Sequence, residues 1–402
     1  MPQEELILDK SPLPSMDPAV CQKASRYAVR VFEEMSKRSK LLRNNNHVAQ
    51  FDRDEILPYL GEKLGTGGFN VVFELEKIVL DDPSDEEEDD RREEKQAKRK
   101  QVAYDIKTKL AVKFLSDEAL ESQEEFCNGA ADLLMEAKYL AALAAHPHPA
   151  LIQLHGVCAE GAAGFGRTER AGFFLVIDRL YDTLDRRIDI WKELQRRKLA
   201  MNNGETRKLL AGLFLQRLLV AQDIASALRH LHKLQIIFRD LKPDNVGFCF
   251  DGRVKLFDFG LAKELDPHQQ NEDGLYNMSG GTGSRRFMAP EVALSEPYHL
   301  SADMYSFAIL FWEILTLDKA FARLTVDDHH EKVIQGTERP ELDPGWTSSL
   351  CEILQGCWHY KPHRRPSAKE AHRALRYEIQ DMVAEEFPKQ ADFDERRRRA
   401  YH

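Results

Sequence analysis

Two short apolar runs in the middle of this chain each end on an aspartate, and the residues at those ends are the ones equipped for chemistry. In IIFRDLKPDNVGFCFDGRVKLFDFG, residues 236–260, the first run delivers Arg239-Asp240 and the second delivers Asp258-Phe259-Gly260. Asn245 follows Asp240 across a Lys-Pro turn that cannot stay helical, because proline has no amide hydrogen to donate. Two carboxylates and an amide at the ends of apolar strands are hard oxygen donors. Such donors suit a divalent cation that must also hold phosphates.

A site of that kind needs elements that bring phosphate to it, and the upstream chain supplies candidates. LGEKLGTGGFNVVFELEKIVL, residues 60–80, reads as two strands around Gly65-Thr66-Gly67-Gly68. Glycines let backbone amides approach phosphate oxygens with no side chain in the way, although alone such a loop is a hairpin turn. KLAVKFL, residues 109–115, reads as a half-buried strand carrying Lys113, and a lysine in an apolar strand needs an anionic partner. Glu136 is a candidate, in a helical run whose Leu133, Leu134, Ala137, Leu140 and Ala141 follow a 3.6-residue period, and Glu124 and Glu125 are rivals nearby. FFLVID, residues 173–178, is an apolar strand ending in a polar break. Residues 186–213 read as an extended helix and loop, and an amphipathic helix over Leu218 to Leu231 leads the chain into Arg239-Asp240.

Composition narrows the class. The chain has 402 residues, 43% hydrophobic and 31% charged, which is ordinary for a globular protein with more than one domain's worth of core. A net charge of −10 gives a nucleic-acid partner no electrostatic footprint and makes a basic peptide the more natural counterpart. The 6 cysteines show neither CxxC pairs nor metal-ligand spacing, and no signal peptide or membrane span is expected, so a reduced cytosolic or nuclear compartment follows.

FRDLKPDN followed by DFG resembles the catalytic loop and metal-binding turn of eukaryotic protein kinases. The other landmarks follow in the family's order. Lys113 resembles the family's strand lysine, Glu136 lies in the family's spacing before His146-Pro147, and Met288-Ala289-Pro290-Glu291 closes an activation segment at 261–288. GTGSRRFMAPEV, DMYSFAILFWEIL and CWHYKPHRRPS are most similar to tyrosine-kinase-like serine/threonine kinases. The resemblance implies an α+β, two-lobed fold with a β-rich first lobe over 51–177 and a helical second lobe over 178–382. It also implies ATP and magnesium (Mg2+), with Asp240 as the base that takes the substrate hydroxyl proton and Lys242 facing the transferring phosphate. Asn245 and Asp258 would hold the metal, and Lys113, paired with Glu136, would contact the α and β phosphates. Leu64, Gly65, Gly67, Gly68, Val72 and Ala111 would surround the nucleotide, Ile177 would guard the rear of the adenine pocket, and the backbone of Asp178 to Leu180 would bond the adenine edge. Glu291 should pair with Arg365, and Asp303 should accept backbone hydrogen bonds beneath the catalytic loop.

Protein substrates with Ser or Thr are the implied partners, together with an upstream activating kinase. Arg239, before the base, would pair with a phosphate on Thr282 or Ser279; Ser284 stands where the family places a hydroxyl that bonds Asp240 and Lys242. Three positions depart from the family: Asn70 replaces the third loop glycine, Phe238 the usual histidine and Gly247 the leucine that packs beneath the adenine. They keep open a rival reading as a pseudokinase scaffold, and Gly247 leads us to expect spare room under the adenine. Outside the pattern lie a 1–50 extension with a helix from Pro18 through about Leu42, apolar at Ala19, Val20, Tyr27, Val31 and Met35, which reads as docked on the first lobe or as a separate partner-binding helix, then an Asn44-Asn45-Asn46 linker. An insertion at 81–101 has eight acidic residues in its first ten and six basic ones in the next ten, and reads as a solvated segment pairing with itself or as a docking element. A basic tail, 383–402, carries four arginines at 396–399.

Overall fold

The β-branched and apolar runs on either side of the glycine loop build a six-stranded sheet. The computed structural model describes residues 17–37, 39–42, 48–81, 90–105, 109–167, 171–201 and 206–388. Expectations for residues 1–16, the Asn44-Asn45-Asn46 linker, the acidic run at 82–89 and the arginine tail lie outside the described residues. The strands are β1 (Ala49–Phe51), β2 (Leu60–Thr66), β3 (Asn70–Leu75), β4 (Leu110–Leu115), β5 (Leu154–Cys158) and β6 (Leu175–Asp178), in spatial order β1-β5-β6-β4-β3-β2. All neighbours are antiparallel except β1, which runs parallel to β5 at the sheet edge. Strand β4 is buried along its whole length rather than on one face, because it has a strand on both sides and a helix packed against it. Of FFLVID, only Leu175–Asp178 is paired strand.

The chain forms two units, one gathering residues up to 146 with 153–179, the other gathering 147–152 with 180 onward. Besides the sheet, the first unit holds α1 (Pro18–Ser36), α2 (Arg53–Ile56), α3 (Asp90–Tyr104) and α4 (Gln123–Leu143). Helix α1 starts as its sequence dictates, with Pro18 in the first turn and the Asp17 carboxylate accepting the Ala19 N–H at 2.8 Å. It ends at Ser36, short of the expected Leu42. Its docked face only partly follows the large apolar residues: Cys21, Ala24 and Ala28 are buried, with α4 packed on the helix, Val20, Val31 and Met35 are half-buried, and Tyr27 is 42% exposed. Small residues spaced three and four apart let two helices approach closely, so the deepest part of the contact is made by the side chains with the weakest sequence signal.

The basic half of the insertion is helix α3, and it does not pair only with itself. Lys98 bonds Glu94 within the helix, but Arg99 reaches the fully buried Glu55 of α2 and stacks over the Phe51 ring of β1. Glu55 also accepts the Asp52 and Asp81 amides, both at 2.9 Å. The insertion is therefore latched to the sheet edge by a buried carboxylate with several donors.

The second unit is mainly helical: α5 (Leu184–Met201), α6 (Thr206–Lys233), α7 (Pro290–Ala293), α8 (Ser301–Thr316), α9 (Val326–Asp328), α10 (Ser348–Cys357) and α11 (Ala368–Glu386). Short strands β7 (Asp182–Thr183), β8 (Ile236–Ile237), β9 (Val246–Phe248), β10 (Val254–Leu256) and β11 (Lys263–Glu264) present the loops between them, in sheets ordered β10-β9-β7 and β11-β8. Where an extended helix and loop was expected over 186–213, α5 and then α6 occupy most of the stretch. Helix α6 is long and apolar enough by length and composition to cross a membrane, but its stretch from Leu218 to Leu231 is buried on one face, and it packs on α8, α11 and β10. Those contacts are those of a core helix.

Candidate active site

In the first unit, sheet register gathers most of the positions chosen from sequence. Lys113 pairs with Val72 on one side and Leu175 on the other, and Ala111 pairs with Ile177. Directly paired residues share a sheet face, as do residues two apart on one strand, so Val72, Ala111, Lys113 and Ile177 line one face. Lys113 is 7% exposed, and its Nζ donates to Glu136 Oε2 at 2.6 Å. The rivals Glu124 and Glu125 lie in the first turn of α4, exposed, and Glu125 is engaged with Ser122 in the N-cap.

At the tip of the hairpin, Gly67 N donates to Asn70 O at 2.7 Å. A Cβ on Gly65 or Gly68 would meet no atom within 4 Å, and neither glycine has a positive φ. Neither packing nor backbone strain demands glycine there. What remains is the open space itself, which fits a phosphate approaching the amides. Asn70, which stands in place of the third loop glycine, opens β3 in ordinary strand conformation opposite Leu115, so the position does not call on the left-handed backbone that glycine would allow.

At the end of β6, the Asp178 carboxylate accepts from Gln153 N at 3.0 Å and contacts His155 Nε2 at 2.8 Å. The Asp178 and Arg179 amides donate to Gln153 O and Lys109 O. Leu180 N–H has no acceptor among the described residues, leaving it as the amide there that can serve a ligand.

In the second unit, four donor contacts converge on the Asp240 carboxylate. Lys242 Nζ at 2.8 Å and Asn245 Nδ2 at 2.9 Å reach Oδ2, while Ser284 N at 2.9 Å and Ser284 Oγ at 2.8 Å reach Oδ1. An ionised carboxylate is an acceptor only, so these contacts fix its orientation without competing for a proton. Asn245 Nδ2 also bonds Asp240 O at 2.8 Å. The amide nitrogen is thereby spent, and the amide oxygen is left to face a cation. Asp258, the other expected metal ligand, has φ 69. Magnesium takes one or two protein oxygens alongside phosphates and waters, and Asn245 with Asp258 is a donor pair of that kind. Among the described residues there is no group of three or more His, Cys, Asp or Glu that could hold a metal on its own.

Arg239 precedes Asp240 with φ 70. A non-glycine residue in left-handed backbone costs about 1–3 kcal/mol unless its surroundings hold it. Here Asp303 does so, accepting the Arg239 amide at 2.9 Å on Oδ1 and the Phe238 amide at 2.9 Å on Oδ2, as the sequence led us to expect. The Arg239 guanidinium bonds Leu261 O at 2.6 Å and Ser279 Oγ at 3.2 Å. Ser279 Oγ in turn lies 2.9 Å from Thr282 Oγ1. Of the two expected phosphorylation positions, Ser279 touches the arginine and Thr282 is one hydrogen bond further away. Tyr298, which sequence reasoning missed, bonds Ser279 O at 2.9 Å. Gly283, at φ 98, passes so close that a Cβ would collide with Arg239 O, so the segment reaches Asp240 only with glycine there.

Phe238 and Phe259 meet edge to face with centroids 5.2 Å apart, both fully buried. Glu291 and Arg365 form the expected buried bidentate pair at 2.6 and 2.8 Å. One expectation fails: there is no spare room at Gly247. A Cβ there would lie 2.5 Å from Leu180 Cδ1 and 3.2 Å from Phe257 Cε1, so Leu180 already fills the volume a leucine at 247 would take.

The protein kinase domain family matches residues 98–375, a range that includes Lys113, Glu136, Asp240, Asn245, Asp258, Glu291 and Arg365 and begins after the glycine loop. RGS domain-containing serine/threonine-protein kinase A of Dictyostelium discoideum is 36% identical over 154 residues, 38% of this chain and 13% of the relative. Serine/threonine-protein kinase STY17 of Arabidopsis thaliana is 36% identical over 167 residues, 42% of this chain and 28% of its own length. Dual specificity protein kinase shkB of Dictyostelium discoideum is 33% identical over 159 residues, 39% of this chain and 24% of the relative. The chain thus spans less than a third of each of these relatives, and it belongs to the protein kinase family.

Proposed function

We propose that this chain transfers the γ-phosphoryl group of ATP to Ser or Thr hydroxyls of protein substrates, with magnesium as the metal. The observation that carries this reading is the Asp240 carboxylate, held by Lys242, Asn245 and Ser284. In this reading the substrate hydroxyl oxygen attacks phosphorus, its proton passes to Asp240, and ADP leaves with the bond electrons. Lys242 stands beside the base, where an ammonium stabilises charge on the phosphoryl oxygens. Lys113, oriented by Glu136, does the same for the α and β phosphates. Leu180 N–H is the donor for the adenine edge. Magnesium, held by Asn245 and Asp258 when bound, would neutralise charge building between the β and γ phosphates.

The departures that favour a silent scaffold weigh little. Leu180 compensates for Gly247, and Phe238 keeps an aromatic packed on Phe259. Phosphorylation of Ser279 would place about two negative charges against Arg239 and order the segment that carries Ser284.

The test is to incubate the purified chain with ATP, magnesium and degenerate peptide libraries containing Ser, Thr or Tyr, beside Asp240→Asn. Transfer to Ser and Thr by the wild type and not by the variant supports the reading. Equal transfer, or none from either protein, sinks it, and transfer mainly to Tyr overturns the substrate class.

A further inference from the structure

The register of the glycine hairpin sets two carboxylates against each other. Strands β2 and β3 pair Leu60 with Leu75 and Lys63 with Phe73, so Gly61 and Glu62 together stand opposite the single residue Glu74. Two residues against one is a β-bulge, which bends a strand and re-aims its side chains. It places Glu62 beside Glu74 across the ladder, where like charges repel. A Cβ on Gly61 would lie 3.3 Å from both Glu74 Oε2 and Glu76 Oε1, so a third carboxylate crowds the same spot.

Arg179 answers that charge. Its Nη2 donates to Glu62 Oε1 at 3.0 Å and its Nη1 donates to Glu74 Oε1. No other cation pairs with Glu62 or Glu74 among the described residues. The Arg179 side chain is only 14% exposed but Glu62 is 67% exposed, so the bridge is open to screening by salt on its outer side. Its place on the sheet gives it a bearing on the nucleotide. Glu74 pairs with Ala111, and Ala111 with Ile177, so Glu74 belongs to the face that Val72, Ala111, Lys113 and Ile177 line. Arg179 stands two residues past Ile177, and its N–H bonds Lys109 O at 2.9 Å, continuing the pairing of β6 with β4 by one residue. At about 3.3 Å per residue, Lys109 lies roughly 13 Å along the strand from Lys113. The guanidinium therefore ties the base of the hairpin to the chain leaving β6, at the opposite end of the face from the phosphate lysine.

We infer that Arg179 is a positioning residue for the nucleotide: by bridging Glu62 and Glu74 it holds the base of the hairpin closed, so that the tip at Gly65 to Gly68 meets the phosphates already placed. The inference rests on the kinase reading above and adds to that site a residue that acts through the hairpin. Without the guanidinium the carboxylates repel, the hairpin opens, and part of the binding free energy of the nucleotide goes into closing it. The test compares the full chain as wild type, as Arg179→Gln, and as Arg179→Gln combined with Glu62→Gln and Glu74→Gln. Two measurements are made on each: mant-ATP binding by fluorescence, and kcat and KM for ATP with a Ser/Thr peptide library. Arg179→Gln should weaken mant-ATP binding and raise KM by about fivefold or more with kcat little changed, because the hairpin base serves ground state and transition state alike. The triple variant lacks the same guanidinium but also the repulsion, and should regain most of the lost affinity. High salt should narrow the gap between wild type and Arg179→Gln. Equal binding by those two proteins overturns the inference, as does a triple variant no tighter than the single one, which is what a packing role alone would give, or a gap that salt leaves unchanged. Binding that follows the expected pattern, with no transfer to any peptide, removes the kinase reading and leaves Arg179 its role. A wild type that binds no nucleotide overturns both.

Discussion

Replacing Glu313 by glutamine should stabilise the protein, and the gain should appear only as pH rises. Glu313 lies in α8 at 3% exposure. It accepts the Ala320 amide at 2.8 Å and faces Arg286 at 3.5 Å. Burial outweighs both contacts and raises its pKa from 4.5 to about 7. In the unfolded chain the carboxyl ionises near its ordinary value, so between pH 4.5 and about 7 the folded protein holds a proton that the unfolded chain has lost. Stability from this group is therefore fully present below the unfolded pKa and is lost as pH rises through the folded one. Above the window the charged form is buried at a cost of about 3 kcal/mol, taking 1.36 kcal/mol per pH unit of displacement. Glutamine keeps the oxygen for Ala320 and removes the ionisation. At pH 5 the two proteins should melt within about 2–3 °C of each other. At pH 8 the variant should gain up to roughly 6–12 °C, at about 2–4 °C per kcal/mol for a unit of this size. Differential scanning fluorimetry from pH 5 to pH 8 is the assay, with the difference between the proteins cancelling every group they share. A difference that is flat with pH, or that shrinks as pH rises, refutes the reasoning.

Phe238→Ala should destabilise by about 3–5 kcal/mol, as for other buried aromatics, while Phe238→His is tolerated; urea unfolding of both variants checks this. Gly247→Ala should cost about 1–3 kcal/mol by overpacking against Leu180, and the cost should fall when Leu180→Ala is added, so a double-mutant cycle with no coupling would contradict the geometry. Glu291→Gln leaves the Arg365 guanidinium buried and unmatched and should cost about 3–5 kcal/mol, read from the loss of thermal stability. Phosphatase treatment and Ser279→Ala should each lower the rate of peptide phosphorylation, while Thr282→Ala, one hydrogen bond removed from Arg239, should lower it less.

The ordered polar landmarks were legible in the sequence because each sits in a short segment whose neighbours fix its spacing. Lys113 and Glu136 are bonded, Asn245 and Ser284 converge on Asp240, and Asp303 caps two backbone amides. What escaped notice depended on partners distant in sequence. Strand β1 is three residues long, too short for a period, and it exists because β5 offers it an edge. That α1 docks on the first unit was legible, but which residues it buries most deeply was not, because the small Cys21, Ala24 and Ala28 lie deepest while Tyr27 is exposed. The insertion helix escaped because its composition is that of a solvated segment, and only the buried Glu55 reveals what Arg99 is for. Gly247 misled for a related reason: a missing side chain can be replaced from another segment, and nothing near 247 in the sequence announces Leu180.

Helix α8 explains how the second unit holds its chemistry in place. DMYSFAILFWEIL is apolar almost all round, and the helix is buried along nearly its whole length, so its polar residues depend on partners inside the protein; Ser301 Oγ and Tyr305 Oη have none among the described residues. Asp303, Ser306 and Glu313 each find a partner on the loop or the segment. Asp303 holds the Phe238 and Arg239 amides, Ser306 donates to Phe287 O at 2.7 Å, and Glu313 faces Arg286. At 100° per residue, positions 303, 306 and 313 fall within about 80° of one another, so one stripe of a core helix touches both the base loop and the end of the activation segment. The left-handed backbone at Arg239 is thus stabilised by the helix beneath it, and not by the loop itself. Removing Asp303 would release the strained residue next to the base while leaving Asp240, Lys242 and Asn245 chemically intact. The geometry of the base is in this sense a property of the core.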